Sequence, residues 1–432
     1  MNPKPKILVV GQGVRPTGFA RVLESIVSRL THRYEIHYFA INYRGAQVKQ
    51  PWVVYPNCLE GDVFGVEQLP HLLDKIQPVL VFMTHDFWLY TLHKPVLDKR
   101  PQIRTIFYCP VDGRLTCPNT FAALRSLDYL VSYTHFGEIE LRKALAASQT
   151  KDNQQFGEPP IRVVPHGVDT SKFYPLGINK NGVFSSHAVC FDPTHLRERR
   201  VQAREQLFPE RPELGEAFIV FNGNRHNFRK HLNITIEGFA RFAHGKPSTV
   251  MLYLHEKLHK IDAATAQTLR VLEREGRLLQ LNPNESSSLN VSDEQLNLIY
   301  NCCDLGLNTS SGEGWGLVSW EHAATGAAQI VPNHSGCSEL WRNIGILLEP
   351  VTSEYPPVDY IEHRSVSASS VATAIEDLYS NRDLLAERSQ LAFEHATQPT
   401  YQWDVIAHQW DRLFSDVIET NTITLMLEPN NC

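Results

Sequence analysis

The stretch SSGEGWGLVSWEHAATG, residues 310–326, decides the fold of the second half of this chain. It follows an apolar run that ends near Thr309, and it places three glycines in a turn before a helical pattern that starts near Gly316. Glycine permits a tight turn and a close approach of the backbone to a ligand. The first N–H groups of a helix lack partners and carry partial positive charge. This strand–turn–helix unit therefore predicts an anion site, with phosphate favoured.

Two carboxylates flank the predicted helix start. Glu321 lies just over one turn into the helix, and its two oxygens can accept a pair of hydroxyls such as a ribose diol. Glu313 lies in the glycine turn, where it can face the sugar side of the same ligand. The alternative is a glycine-rich turn with one surface Glu and one capping Glu, because such a turn before a helix is a weak signal by itself.

A second charged stretch is FNGNRHNFRKHLNITIEGFARF, residues 221–242. A strand is predicted to end at Asn222, and the following loop carries Arg225 and Lys230 before a helix. A departing diphosphate needs neutralising charge, which Arg supplies as a planar fork and Lys as a mobile point charge. The spacing predicts that both cations reach one phosphate cluster. A solvated basic loop is the alternative interpretation.

The first glycine loop, VGQGVRPTGFARV at residues 10–22, follows the first predicted strand. Its glycines do not fit the GxGxxG pattern because Arg15-Pro16-Thr17 lengthen the loop, which argues against a nicotinamide dinucleotide enzyme. A backbone approach to phosphate or sugar at Gly13 remains open. Arg15 either adds charge there or is solvated.

Polar side chains also follow other strands of the first half. His85 and Asp86 come directly after the apolar run VFMT, and Asp112 follows the next strand. A lone His is more often structural than functional, but ligands of open α/β sheets sit at the carboxyl ends of the strands, so a functional His85 and a structural one are equally supported. Asp86, Asp112, His135 and Arg15 are weaker candidates for a ligand site.

Short apolar strands alternate with helical patterns throughout, which indicates α/β domains with parallel sheets covered on both faces. Pro- and Gly-rich residues 174–215 break this rhythm and predict an interdomain connection with an insertion. We therefore expect an N-terminal domain over residues 1–195 and a C-terminal domain over residues 196–400. Residues 401–432 are expected to form a helix followed by a tail.

Composition restricts the function classes. With 432 residues, 42% hydrophobic and 20% charged, the chain is long enough for two globular domains, and its net charge of −6 does not favour nucleic acid. Residues 1–175 carry 20 Lys and Arg against 15 Asp and Glu, which leaves open a peripheral contact with an anionic membrane face. The eight cysteines show no ligand spacing, so no metal is expected. No signal peptide or membrane-spanning run is apparent, and we expect a cytoplasmic location.

Together these stretches resemble the retaining glycosyltransferases of family 4, which have the α/β fold called GT-B. The resemblance covers most of the chain in order, and its Glu-x7-Glu motif is similar to Glu313 and Glu321. Further stretches are PHGVDTSKFYP at residues 165–175, NRHNFRKH at residues 224–231 and HSGCSEL at residues 334–340. The resemblance implies two Rossmann-like, doubly wound parallel-sheet domains that face a central cleft. It assigns the acceptor side to residues 1–195, with Arg15, Asp86, Asp112 and His135 as weaker candidates, and nucleotide-sugar binding to residues 196–400. The helix after residue 400 would cross back to the N-terminal domain.

The resemblance also implies an activity. A hexose-type sugar would pass from a UDP or GDP sugar to an acceptor by a front-face route, with retention and without metal or cofactor. The acceptor (saccharide, lipid, protein or other) and the oligomeric state stay open. The implied catalytic residues are His85, Glu313, Arg225 and Lys230, and the implied donor-binding residues are Gly13, Arg225, Lys230, Glu313, Gly314, Gly316, Leu317, Val318 and Glu321.

The sequence departs from the family pattern at a few positions. His166 stands where asparagine is usual, and Asn224 and His231 replace glycines beside the Arg and Lys. The bulk of His231 is expected to narrow the phosphate pocket. Two further functions are compatible with the residues: a nucleotide-sugar-binding protein without turnover, and a phosphorylase-like GT-B enzyme with pyridoxal phosphate on Lys230.

Overall fold

The computed structural model describes residues 3–14, 17–46, 48–148, 157–178, 184–185, 192–256, 258–280, 291–356 and 360–427. The chain divides into two compact units. The first comprises Met1–Val111, Leu115–His166 and Trp403–Cys432, and the second comprises Asp112–Arg114 and Gly167–Gln402.

The first unit contains a seven-stranded parallel sheet with the order β3-β2-β1-β4-β5-β6-β7. The chain starts in the middle of this sheet and winds outward in both directions, so β1 and β4 adjoin at the switch point where open α/β sheets bind ligands. Its elements are β1 Lys6–Gly11, α1 Gly18–Val27, β2 Glu35–Ala40, β3 Val53–Pro56, α2 Leu69–Ile76, β4 Leu80–Thr84, α3 Phe87–Leu97, β5 Arg104–Cys109, β6 Tyr129–Ser132, α4 His135–Ala147 and β7 Ile161–Val163.

The second unit contains a six-stranded parallel sheet with the order β12-β11-β10-β13-β14-β15 and two short antiparallel hairpins, β8–β9 and β16–β17. Its elements are β8 Gly177–Ile178, β9 Phe184–Ser185, α5 Leu196–Leu207, β10 Phe218–Asn222, α6 Leu232–Ala243, β11 Val250–Leu254, α7 Ala263–Arg274, β12 Leu278–Leu279, α8 Asp293–Cys302, β13 Leu305–Leu307, α9 Leu317–Ala324, β14 Ala328–Pro332, α10 Ser335–Trp341, β15 Ile346–Leu348, β16 Thr352–Glu354, β17 His363–Ser365, α11 Ala368–Ser380 and α12 Arg382–Ala396.

The predicted alternation of buried strands and helices is confirmed. All five residues of β10, of β11 and of β14 are buried, as expected for parallel strands covered on both faces. The core of the second unit joins these strands to α6, α11 and α12 through side chains such as Val220, Phe239 and Leu378. The hairpin β16–β17 was not predicted, because its strands are only three residues long and lack an apolar run.

The last helix, α13 Trp403–Leu427, belongs to the first unit. Trp410 is fully buried, and its ring lies 4.6 Å from that of Phe82 in β4 and 4.8 Å from that of Tyr108 in β5. Asp411 pairs with Arg33 at 2.5 Å and accepts a hydrogen bond from the Tyr34 hydroxyl at 2.9 Å. Burial of one aromatic face and these polar contacts fix the helix against the first sheet.

The boundary between the units falls after His166 rather than at residues 195–196. The chain beyond it is bonded to helix α8: the backbone N–H of Tyr174 donates to Asn297 at 3.1 Å, and that of Leu176 donates to Asn301 at 2.9 Å. Residues 167–195 that the structure describes are therefore part of the second unit. Asp112–Arg114 belong to the second unit as well, although their sequence neighbours belong to the first.

The charged helix α5 is held to the second unit by a buried ion network. Arg200 and Arg204 are buried, and both pair with Asp304, at 3.0 and 2.7 Å. Arg204 also donates to the carbonyl of Cys302 at 2.8 Å, and Asp304 accepts from the N–H of Ile219 at 2.6 Å. This network anchors α5 to the start of β13, because every charge in it would be costly to bury alone.

None of the described helices combines the length and the apolar character that a membrane crossing requires.

We expect Asp304→Asn to lower the free energy of unfolding by about 3–5 kcal/mol, since it leaves two buried guanidinium groups without a countercharge. Urea denaturation followed by circular dichroism measures this. Glu216→Gln is the matched control, because Glu216 forms an ion pair with Arg197 in which both side chains are 72% exposed. That change should alter stability by less than about 1 kcal/mol. Equal effects of the two substitutions would contradict a structural role for the buried network.

Candidate functional site

The glycine turn after β13 ends at the helix that the sequence predicts. Gly316 is the N-cap of α9 and has a φ of +88°, a left-handed conformation that glycine adopts without steric cost. The first N–H groups of α9, at Leu317 and Val318, have no partner within the helix. With Gly314 beside them, they form the helix start at which an anion is expected to bind.

The backbone of Glu313 is held on both sides. Its N–H donates to the carbonyl of Asp112 at 2.9 Å and to the hydroxyl of Ser335 at 3.2 Å. Its carbonyl accepts from the N–H of Gly336 and from the Ser335 hydroxyl, each at 3.1 Å. A Cβ at Gly336 would lie 2.8 Å from this carbonyl, so glycine is required for the contact. The HSGCSEL stretch thus fixes the turn that carries Glu313.

The Glu313 carboxylate forms a salt bridge with the Lys230 ammonium, and both residues are buried. The Ser310 hydroxyl lies 3.3 Å from the same carboxylate. Burial lowers the pKa of Lys230, while the Glu313 carboxylate acts against that shift. Burial acts to raise the pKa of Glu313, but the charges of Lys230 and Arg229 outweigh it and lower that pKa. The structure therefore brings together two of the predicted catalytic residues as a buried ion pair.

Arg229 is the second cation at the glycine turn. Its guanidinium pairs with Asp112 at 3.1 Å and donates to the carbonyl of Gly312. Its own carbonyl accepts from the N–H of Ser311 at 2.8 Å. Sequence reasoning placed Asp112 on the acceptor side, whereas the structure places it in the second unit, bonded to this turn. The basic run beside Lys230 was the signal that could have singled out Arg229.

Arg225 occupies an exposed part of the same loop, and its carbonyl accepts from the N–H of Asn227 at 3.0 Å. Lys230 closes the short 3₁₀ segment Phe228–Lys230, which Asn227 caps through its side chain. A joint action of Arg225 and Lys230 on one phosphate cluster stays a prediction.

Hydrogen bonds tie the basic loop to the glycine turn. The Thr309 hydroxyl lies 3.0 Å from the carbonyls of Lys230 and His231 and 2.8 Å from the Thr235 hydroxyl. The amide of Asn222, at the end of β10, donates to Thr235 at 2.8 Å. The strand ends of β10 and β13 therefore position Lys230 and the turn as one body.

His231 stands at a position that favours glycine, because its φ is +45°. Its ring lies 3.2 Å from the hydroxyl of Ser365 in β17, and burial lowers its pKa. The imidazole therefore contacts the β16–β17 hairpin. The sequence did not predict this contact, and narrowing of a phosphate pocket by His231 stays a prediction.

Glu321 lies in α9 and is buried. The hydroxyl of Tyr300, in α8, donates to its carboxylate at 3.0 Å. The structure thus places Glu321 in the helix whose start adjoins Glu313, as the Glu-x7-Glu spacing predicts. Tyr300 was not identified from the sequence, because no motif around it indicates that its hydroxyl bonds a site residue.

In the first unit, His85 follows β4 at the sheet switch point. Its ring stacks on Phe19 at 5.3 Å, and the Trp88 ring packs edge-on at 5.5 Å. Its Nε2 lies 3.4 Å from the amide nitrogen of Gln12, and its Nδ1 lies 3.6 Å from Asp86. Burial lowers its pKa to about 4, with a smaller contribution from His93. His85 is therefore a neutral imidazole suited to hydrogen bonds with hydroxyls.

The other predicted residues of the first unit have different surroundings. A Cβ at Gly13 would lie 2.9 Å from the Tyr38 ring, so packing inside the unit already requires glycine there. His135 is exposed and lies 3.3 Å from Glu138, three residues further along α4. Arg15 lies outside the described residues.

Within the part of the chain that the structure describes, no group of three or more His, Cys, Asp or Glu side chains is arranged to hold a metal ion.

The sequence matches no known protein-family model and no curated protein. The structure, however, is similar to several solved structures. Sucrose-phosphate synthase from Thermosynechococcus elongatus has a TM-score of 0.68 at 15% identity, over 97% of this chain and 100% of that chain. HepE from Anabaena, in complex with UDP and glucose, has a TM-score of 0.64 at 15% identity, over 95% and 100%.

Trehalose 6-phosphate synthase from Burkholderia multivorans has a TM-score of 0.63 at 15% identity, over 98% of both chains. At such low identity these likenesses establish the fold. The chain has the α/β fold of the GT-B glycosyltransferases, with a seven-stranded and a six-stranded parallel sheet.

Gly336→Ala is expected to lower the free energy of unfolding by about 1–3 kcal/mol, because the new methyl group overlaps the carbonyls of Glu313 and Gly314. The sign is diagnostic, since Gly→Ala within a helix otherwise stabilises by about 1 kcal/mol. Gly215→Ala is the matched control, as its Cβ would meet only Val201 at 3.8 Å. Urea denaturation compares them. A Gly336→Ala protein as stable as the control would contradict the close contact.

The lowered pKa of His85 predicts that its ring stays neutral as the pH falls from 8 to 5.5. Its contribution to folding stability is present in full above the ordinary pKa of 6.5 and is lost as the pH falls towards about 4. NMR of protein labelled in its histidine rings measures the titration, with the His85→Gln spectrum to assign the signal. A His85 midpoint near 6.5 would contradict burial of the imidazole.

Proposed function

We propose that this protein transfers a hexose-type sugar from a nucleoside-diphosphate sugar to an acceptor, with retention of anomeric configuration. The observation that carries the proposal is the buried Lys230–Glu313 pair beside the start of α9, with Glu321 further along the same helix. A buried cation, the first N–H groups of a helix and two carboxylates match the phosphates and hydroxyls of such a donor.

In this proposal the donor diphosphate takes the place of Glu313 as the partner of Lys230. A buried ammonium needs an anion within contact distance, and a phosphate oxygen meets that need as well as a carboxylate does. Glu313, released from the ion pair, then accepts hydrogen bonds from sugar hydroxyls. Donor binding thereby replaces the Lys230–Glu313 contact with two others, one from Lys230 to the diphosphate and one from Glu313 to the sugar.

The chemistry depends on stabilising the leaving diphosphate. Lys230, Arg225 and the N–H groups of Leu317 and Val318 would carry its developing charge in a site that is already ordered. In a front-face route the leaving phosphate oxygen accepts the acceptor proton on the side from which the sugar departs. His85, neutral at ordinary pH, would donate or accept a hydrogen bond at the sugar without competing for the phosphate.

UDP is the proposed donor nucleotide, because HepE is described in complex with UDP and glucose. We likewise propose membership of retaining family 4. The support is that its motifs occur along this chain in the same order: the glycine loop, His85, the Arg225–Lys230 loop and the Glu313–Glu321 spacing. We also propose that the reaction needs no metal or other cofactor, that the protein is cytoplasmic, and that the acceptor site lies in the first unit. Asp86 and His135 are candidates for that acceptor site, and Gly13 is a candidate for donor binding.

A panel of UDP-, GDP- and ADP-sugars tests the donor by thermal shift, because a ligand that binds the folded state raises its melting temperature. UDP-sugars should raise it most. Release of UDP with and without saccharide acceptors then separates an enzyme from a protein that only binds the donor. Binding without acceptor-dependent release would favour the non-catalytic alternative.

Lys230→Gln is expected to reduce turnover by roughly 30- to 1,000-fold, or about 2–4 kcal/mol in the transition state, because a cation on the leaving group is lost. Glutamine can still hydrogen-bond Glu313, but loss of the buried countercharge is expected to lower the free energy of unfolding as well, so turnover is compared at a temperature at which thermal melts show both variants folded. Lys172→Gln is the matched control, since Lys172 is a half-exposed lysine of the same unit that pairs with Asp293 at 2.9 Å. UDP release in coupled assays measures both. Full activity of the Lys230 variant would refute the assignment.

A further inference from the structure

Tyr300 makes a buried hydrogen bond to the carboxylate that is proposed to hold the donor ribose. Its hydroxyl donates to Glu321 Oε2 at 3.0 Å, and both side chains are at least 95% buried. A carboxylate only accepts hydrogen bonds, so the Tyr300 hydroxyl is the donor. One of the two Glu321 oxygens is therefore held by the protein itself, from the neighbouring helix α8.

The Tyr300 ring is fixed in turn. Phe173 and Phe221 pack edge-on against it at 5.6 and 5.4 Å, and His322 stacks on it at 5.3 Å with an interplanar angle of 22°. His322 also lies with its Nε2 3.1 Å from the Tyr300 carbonyl. Because a carbonyl only accepts, Nε2 carries the proton. Burial lowers the pKa of His322 to about 3, so the stack stays uncharged.

We propose that Tyr300 is a positioning residue that orients Glu321 for the hydroxyls of the donor ribose. This role rests on the proposed function and names the part of the donor on which it acts. A carboxylate can rotate about its last side-chain bond, and a bidentate grip on two neighbouring hydroxyls requires one rotamer. The aromatic enclosure keeps the Tyr300 hydroxyl in place, and the hydroxyl keeps the carboxylate in the plane that meets the ribose.

The role predicts a selective defect. Tyr300→Phe removes one oxygen and retains the ring that fills the enclosure. The dissociation constant for UDP should rise about tenfold, as expected for the loss of a hydrogen bond to a charged group. The same substitution should leave binding of 2′,3′-dideoxy-UDP unchanged, because that nucleotide lacks the hydroxyls that Glu321 holds. With a UDP-sugar, KM should rise while kcat stays within about twofold.

Isothermal titration of the full-length wild type and Tyr300→Phe with both nucleotides makes the comparison. Tyr253→Phe is the matched control, since Tyr253 is a buried tyrosine of the same unit whose ring packs on Phe221 at 5.6 Å. It should bind UDP like the wild type. Thermal melts of the three proteins report any loss of folding.

Two outcomes would overturn the role of Tyr300. One is an unchanged dissociation constant for UDP in Tyr300→Phe. The other is an equal loss of affinity for UDP and for 2′,3′-dideoxy-UDP, which would indicate a general structural defect. Failure of the wild type to bind UDP at all would overturn the proposed donor site itself and this role with it, and the wild-type titration alone detects that result.

Discussion

The second unit is organised around one constraint, which is the burial of the Lys230 ammonium. A buried ammonium without a partner is too costly to retain, so an anion must lie within contact distance. Glu313 supplies that anion, and its turn is fixed by Asp112, Ser335 and Gly336 through both of its backbone polar groups. The glycine turn, the basic loop and the start of α10 are thus one assembly with a common electrostatic requirement.

The same chain contains a second buried ion network with a different consequence. Arg200 and Arg204 pair with Asp304, and Arg204 also donates to backbone carbonyls, including that of Cys302. This network satisfies its charges within the protein and anchors helix α5. The Lys230–Glu313 pair instead adjoins a helix start whose N–H groups have no partner within the helix. That difference is why we propose that Lys230 exchanges Glu313 for a ligand, whereas the Asp304 network only holds the fold.

Glycines likewise have two different roles in this chain: some shape the candidate site, and others are required by packing. Gly316 has a left-handed backbone at the start of α9, and Gly336 lies against the carbonyl of Glu313, so both shape the candidate site. Gly13 lies against the Tyr38 ring and serves packing within the first unit. In a sequence these uses look alike, because a glycine shows neither its backbone conformation nor which atoms lie beside it.

Local sequence determined the parallel sheets, the glycine turn before α9, and Glu313 and Lys230 as site candidates. Strand and helix periodicity, glycine and charge are properties of neighbouring residues, which a sequence shows directly. Tertiary structure decided the partners: Arg229 donates to the carbonyl of Gly312 in the turn, Asp112 belongs to the second unit, and Tyr300 holds Glu321. Even Lys230 and Glu313 are 83 residues apart. Such contacts depend on where the sheet brings separate loops together, and local pattern does not contain that information.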